Sequence, residues 1–256
     1  MKKFWIAVSF LTKIPVRGTV LTENCPHIEE GGLAGSMAYF PAAGLLLGAI
    51  LALINALLAP ILPSGIVNLI LVLALTALTG AIHLDGLADT ADGLCSKKTN
   101  KDEILNIMKD PRIGTMGVIA IVLSLLFKYE LLNTMPSQFK ASALILMCVI
   151  SRWSQVLTAF FSKYARKEGG IGEHFIGNIR KNDLRLAALF AIAISIAAWF
   201  PFGFFVLLFG SLIAWLIMKY IHKRIGGMTG DTAGAVNELT EIAVLIILCI
   251  LQINRF

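Results

Sequence analysis

Residues 36–63, SMAYFPAAGLLLGAILALINALLAPILP, contain no charged side chain, and residues 66–84, IVNLILVLALTALTGAIHL, follow with none. A helix needs about 20 apolar residues to cross a hydrocarbon core of about 30 Å. Similar runs recur at 114–132, 141–161, 186–200, 202–218 and 240–254. The whole chain of 256 residues is 57 % hydrophobic and 15 % charged, with a mean hydropathy of +0.79. Soluble domains carry about 25 % charge, so a soluble protein is excluded. The runs are continuously apolar rather than alternating, which argues against a membrane β-barrel. The expected fold is all-α: a single integral membrane domain, 1–256, forming a polytopic bundle of about seven transmembrane helices. Pro41 and Pro60 mark the ends of the first run, and residues 201–203 mark a tight hairpin between the fifth and sixth.

Charge placement gives the orientation. Segments 1–35, 85–113, 162–185 and 219–241 hold 18 of the 22 Lys and Arg residues and 15 of the 16 acids. The positive-inside rule then puts these segments and the N-terminus in the cytoplasm, and the C-terminus outside. The net charge of +6 is explained by this rule, and no nucleic-acid partner is expected. The first residues, MKKFWIAVSFLTKIPV, place Lys13 and Pro15 where a cleavage site would stand, so a short interfacial helix is expected there. Cys25, Cys95, Cys148 and Cys249 form no CxxC pair, and neither zinc nor a disulfide framework is indicated. Inside the spans only Arg152 stands out as an ionisable group near mid-membrane, facing a neighbouring helix or a polar cavity.

Two acidic clusters open onto the cytoplasmic face. In residues 83–93, HLDGLADTADG, the spacing of Asp85, Asp89 and Asp92 puts all three within about 60° of one helix face. Like charges on one stripe repel unless a cation sits among them, and all-oxygen donors favour magnesium, manganese or calcium. In residues 226–241, GGMTGDTAGAVNELTE, a helix starting near Asp231 aligns Asp231 with Glu238 and Glu241. Glycines such as Gly230 leave backbone N–H groups open for phosphate oxygens, although Asp231 could equally serve as an N-cap. Between the clusters, residues 107–117, IMKDPRIGTMG, form a loop that can aim Lys109 and Arg112 at an anionic ligand, with Gly114 beside them. The loop 167–175, KEGGIGEHF, reads as flexible and carries His174, a candidate base or substrate contact. Two acid clusters that hold divalent ions on one face suit phosphoryl-type transfer.

These motifs, together with residues 10–15, FLTKIP, resemble those of the cobalamin synthase family, the adenosylcobinamide-GDP ribazoletransferases, over almost the whole chain. The resemblance implies that adenosylcobinamide-GDP and alpha-ribazole are joined, with magnesium, to give adenosylcobalamin and GMP at a bacterial cytoplasmic (inner) membrane. On this reading Asp85, Asp89, Asp92, Asp231, Glu238 and Glu241 are catalytic, and Asp85, Asp89, Asp92 and Asp231 hold Mg2+. Lys109, Arg112, Gly114, His174 and Gly230 bind substrate. Expected partners are the two small molecules, membrane lipid, and a homo-oligomer or other cobalamin-assembly enzymes. A CDP-alcohol phosphotransferase is the nearest alternative, but its Asp-Gly motif continues to Ala-Arg, whereas here Asp85-Gly86 leads to Leu87, Ala88 and Asp89. A cation transporter is disfavoured because no acids lie deep within the expected spans.

Overall fold

A computed structural model describes residues 2–15 and 32–253. Cys25 and the expected external C-terminus at Phe256 lie outside the described residues. Among these the chain is helical: α1 (Lys2–Leu11), α2 (Gly32–Ser36), a 3₁₀ turn (Met37–Tyr39), α3 (Phe40–Leu58), α4 (Ser64–Thr79), α5 (Ile82–Leu94), α6 (Lys101–Ile107), α7 (Thr115–Thr134), α8 (Ser137–Phe160), a second 3₁₀ turn (Ile171–His174), α9 (Lys181–Ala198), α10 (Phe202–Ile225) and α11 (Gly230–Ile253). Each of the seven apolar runs is helical, although the second, 66–84, breaks at Gly80 and Ala81 between α4 and α5. Five are long and apolar enough to cross a membrane: the α2–α3 unit (Gly32–Leu58), α7, α8, α10 and α11 (Gly230–Gln252). The bent pair α4–α5 makes a sixth if counted as one span. With Lys181, Asp183 and Arg185 in its first turns, α9 is too polar to count by the same measure. The chain is therefore a multi-pass helical membrane protein.

Helix α8 is the hub, because its small and apolar residues meet neighbours on nearly every side. Gly44 and Gly48 let α3 approach it: a Cβ on Gly44 would lie 2.5 Å from the Cys148 carbonyl oxygen, and one on Gly48 would lie 2.6 Å from the Ile145 Cα. Outward residues such as Val122, Leu126 and Phe127 on α7, and Phe209, Leu212 and Leu216 on α10, are exposed. In lipid such faces carry no penalty, because acyl chains are as apolar as leucine.

The bundle has two distinct ends. At one, Asn68 near the start of α4 meets Asn133 at 2.6 Å and Lys140 at 2.9 Å, and Ser142 of α8 bonds the Ala198 carbonyl of α9. At the other end lie the finish of α4, all of α5, the starts of α7, α9 and α11, and the finishes of α8 and α10. Lys3 of α1 pairs there with Asp183 of α9, and Ser162 reaches His222 of α10. The second end is formed by a sharp turn after α4. Gly80 and Ala81 both take left-handed backbone angles, φ 62° and 59°, and α5 leaves at 88° to α4. Only glycine adopts such angles without steric cost, so Ala81 is held there by its context. As a result α5 lies across the end of the bundle, packed on α7 and α11.

One sequence expectation is corrected here. The last helix begins at Gly230, close to the expected start at Asp231, but Glu238 and Glu241, expected at the cytoplasmic face, are buried inside the bundle. Lys128 of α7 bonds Glu238 at 2.7 Å and also pairs with Glu241, which in turn pairs with Arg152 of α8. Ser124 donates to Glu238 at 2.9 Å, and Asn237 to Glu241 at 3.1 Å. Arg152 is thus not the sole ionisable group at depth, and acids do lie within a span. Two cations and two carboxylates balance one another, which makes burial of the set tolerable where each alone would be costly.

Candidate functional site

The site begins with the crossing of α5 and α11. A Cβ on Gly86 would lie 2.6 Å from the Asp231 carbonyl oxygen, and one on Gly234 would lie 3.3 Å from the His83 Cα. Both positions are glycine because the two backbones touch, and that contact brings the acids of α5 beside Asp231. The start of α11 is capped by Thr229: its Oγ1 accepts from the Thr232 amide at 3.2 Å, and the Thr232 hydroxyl accepts from the Thr229 amide at 2.8 Å. This reciprocal cap leaves Asp231, in the first helical turn, free of the N-cap role.

Asp231 instead meets Arg166, whose Nη2 donates to its Oδ2 at 2.7 Å, and the Thr229 hydroxyl at 3.3 Å. Arg166 is positioned by a short bridge between two segments. The Met228 amide bonds the Lys163 carbonyl, and the Ala165 amide bonds the Met228 carbonyl, each at 2.9 Å. Nothing in the local sequence singles out Arg166 from the six cations of segment 162–185. Its partner Asp231 lies 65 residues further along the chain, so only the folded bridge reveals the pair.

The three acids of α5 do share a stripe, but they differ in employment. Asp92 is committed to structure: its Oδ2 accepts from the Gly114 amide at 2.7 Å and its Oδ1 from the Gly117 amide at 2.8 Å, holding the start of α7. Asp85 is exposed and Asp89 half-buried, and neither accepts a hydrogen bond among the described residues. Asp89 lies in the negative field of Asp231, Asp85 and Asp92, countered by Arg166. No group of three or more His, Cys, Asp or Glu side chains is arranged to hold a metal ion by itself among the described residues.

Asp85 opens into two adjoining cavities. One, of about 170 Å³, is lined by Phe10, Phe40 and Phe175 on its apolar side and by His83, Gln155 and Asp231 on its polar side. The other, of about 370 Å³, runs along the α4–α5 turn past Lys13 and Thr12. A face that is aromatic on one side and acidic on the other can hold a flat heterocycle beside a charged group.

The remaining sequence candidates are placed as follows. Gly230 begins α11 and packs on Gly172 of the second 3₁₀ turn. That turn gives the 167–175 loop fixed structure where flexibility was expected, with Phe175 buried beneath it. His174 is exposed on the turn. Lys109 pairs with Glu168 at 2.6 Å, so the loop before α7 does meet the loop after α8. Arg112 folds back onto Asp110, with Nε and Nη2 at 2.9 and 2.7 Å, and those bonds hold the exposed Asp110 carboxyl down at about 2. Glu238 and Glu241 are not part of this surface; they belong to the buried ion set below it.

Comparison of the sequence with known proteins identifies a family. Residues 3–249 match the family described as Cobalamin-5-phosphate synthase. The chain is 36 % identical over 251 residues to an adenosylcobinamide-GDP ribazoletransferase of Clostridium novyi, covering 97 % of this chain and 96 % of that one. It is 37 % identical over 255 residues to the protein of that name from Geotalea daltonii, covering 97 % of each. No solved structure matches it significantly. With nearly its whole length aligned, the chain belongs to the cobalamin-5-phosphate synthase family.

Proposed function

We infer that this chain is a transferase that joins adenosylcobinamide-GDP to alpha-ribazole, releasing adenosylcobalamin and GMP. The relatives' shared name supports the reaction. The observation that carries the site is a pair of carboxylates, Asp85 and Asp89, left without hydrogen-bond partners beside the Asp231–Arg166 pair and the mouth of two cavities.

The residues fit a magnesium ion of one particular kind. Magnesium is commonly held by one or two carboxylates together with substrate phosphates and water, rather than by a closed protein cage. Asp85 and Asp89 are two such open donors, with Asp231 as a third nearby, while Asp92 is occupied with α7. When bound there, the ion would supply positive charge to offset that of the pyrophosphate and of the departing GMP.

The chain's own groups supply the rest. A ribose hydroxyl of alpha-ribazole attacks the phosphorus attached to cobinamide, the bond to the bridging oxygen breaks, and GMP departs. Whichever α5 carboxylate is free of metal takes the hydroxyl proton. Arg166 offers a guanidinium for phosphate oxygens, with Lys109 and the backbone around Gly230 as further donors, whereas the Gly114 amide is taken by Asp92. Arg112 would have to leave Asp110 to contribute, and His174 would reach substrate from the exposed 3₁₀ turn. The aromatic wall of Phe10, Phe40 and Phe175 suits the benzimidazole ring of alpha-ribazole.

We further propose seven spans, with the N-terminus and the α5–α11 face in the cytoplasm of a bacterial inner membrane. The alternation of helix ends at that face and the Lys and Arg distribution support this topology. A fusion reporter at Lys98 or Lys167 should give a cytoplasmic signal, and a periplasmic one would refute the orientation. The reaction itself is tested by incubating purified protein with both substrates. GMP and adenosylcobalamin should form in equal amounts and cease on chelation of divalent ions, whereas the absence of both products with magnesium supplied would refute the assignment.

A further inference from the structure

A cleft of about 210 Å³ opens next to the acidic site, between α6 and the segment following α8, and is lined by Asp102, Asn106, Lys109, Arg166, Lys167 and Glu168. Its cations have weak partners. Lys109 meets Glu168, whose side chain is 84 % exposed, and Lys167 meets Asp102 only at 3.4 Å, with both side chains largely in solvent. Such screened pairs are readily exchanged for a phosphate. Arg166 belongs to both places: it lines the cleft, its Nη2 holds Asp231, and its Nε is buried with no partner. One guanidinium therefore joins the cleft to the carboxylates of α5 and α11.

The acids in this cleft call for their own explanation. A carboxylate beside a phosphate is unfavourable unless it accepts from another part of the same ligand. The guanine edge offers N1–H and an exocyclic amino group, two parallel donors that suit a carboxylate, which only accepts. Adenine presents an acceptor at N1 instead. We propose that this cleft binds the guanosine monophosphate half of the donor substrate, with Lys109, Arg166 and Lys167 on its phosphate and Asp102 on the guanine edge. The proposal rests on the transfer reaction above and assigns the side of the pyrophosphate from which GMP departs.

The test uses the full chain in detergent micelles, titrated calorimetrically with GMP, AMP or inorganic phosphate and with no second substrate. GMP should bind at least about tenfold tighter than AMP, the effect of one charged hydrogen-bonding group. Lys167→Ala and Lys109→Ala should each weaken both nucleotides by about tenfold, and Asp102→Ala should weaken GMP alone and erase the preference. All three side chains are exposed, so the variants keep the fold. Equal binding of GMP and AMP by the unsubstituted chain, or GMP binding unchanged in the Lys109→Ala/Lys167→Ala double variant, would overturn the proposal. Selective GMP binding in a chain that makes no adenosylcobalamin would support the cleft while removing the ribazole-transfer reading.

Discussion

Asp89→Asn should lower turnover by about a thousandfold, the scale seen when a preorganised charge is removed from a reacting centre, while leaving the folded protein as stable as before or more so. The two effects part because of where Asp89 sits. It accepts no hydrogen bond among the described residues, and it faces three other carboxylates against one guanidinium. Removing its charge relieves repulsion in the resting protein, whereas any role in holding a cation or taking a proton is lost. Thermal unfolding and turnover measured on the same preparation check this. Full activity in the variant would remove Asp89 from the reaction, and a lowered unfolding temperature would make its role structural. Asp92→Asn should behave in the opposite sense, losing stability first, because its two oxygens hold the amides of Gly114 and Gly117.

Glu241→Ala should cost about 3–5 kcal/mol of stability, the usual penalty for removing one partner of a buried ion pair. Lys128 would keep Glu238, but the buried Arg152 would lose its carboxylate partner. Lys128→Met should cost a similar amount, and the double variant should lose less than the sum, since each single change leaves the buried set with a net charge that the other cancels. Unfolding followed by tryptophan fluorescence in micelles measures all three. Additive losses would contradict the view that these residues act as one set. A Glu241→Ala chain with undiminished stability but no turnover would return Glu241 to the reaction.

Much of the fold was legible because membrane helices announce themselves by length and apolarity, and the seven runs needed no tertiary information. The stripe of Asp85, Asp89 and Asp92 was equally plain from helical period. What period cannot reveal is which neighbour a side chain meets. Asp92 shares the stripe of Asp85 yet ends as a cap for α7, because the turn through Gly114 brings amides within reach. Glu238 and Glu241 share a face with Asp231, but α11 starts earlier than its apolar run and carries them into the bundle toward Lys128. Nothing local to Lys128 names its partners, which lie more than a hundred residues away in sequence. Arg166 was hidden for the same reason: the bridge at Tyr164 and Met228 that sets it against Asp231 leaves no local pattern.

That attack falls on the phosphorus attached to cobinamide, with GMP as the leaving group, is tested most directly by following one phosphorus. Adenosylcobinamide-GDP labelled with ³²P on the phosphorus bonded to guanosine is given to the protein with alpha-ribazole and magnesium. All released label should appear in GMP and none in adenosylcobalamin. Label retained in the corrinoid product, or released as GDP, would contradict it.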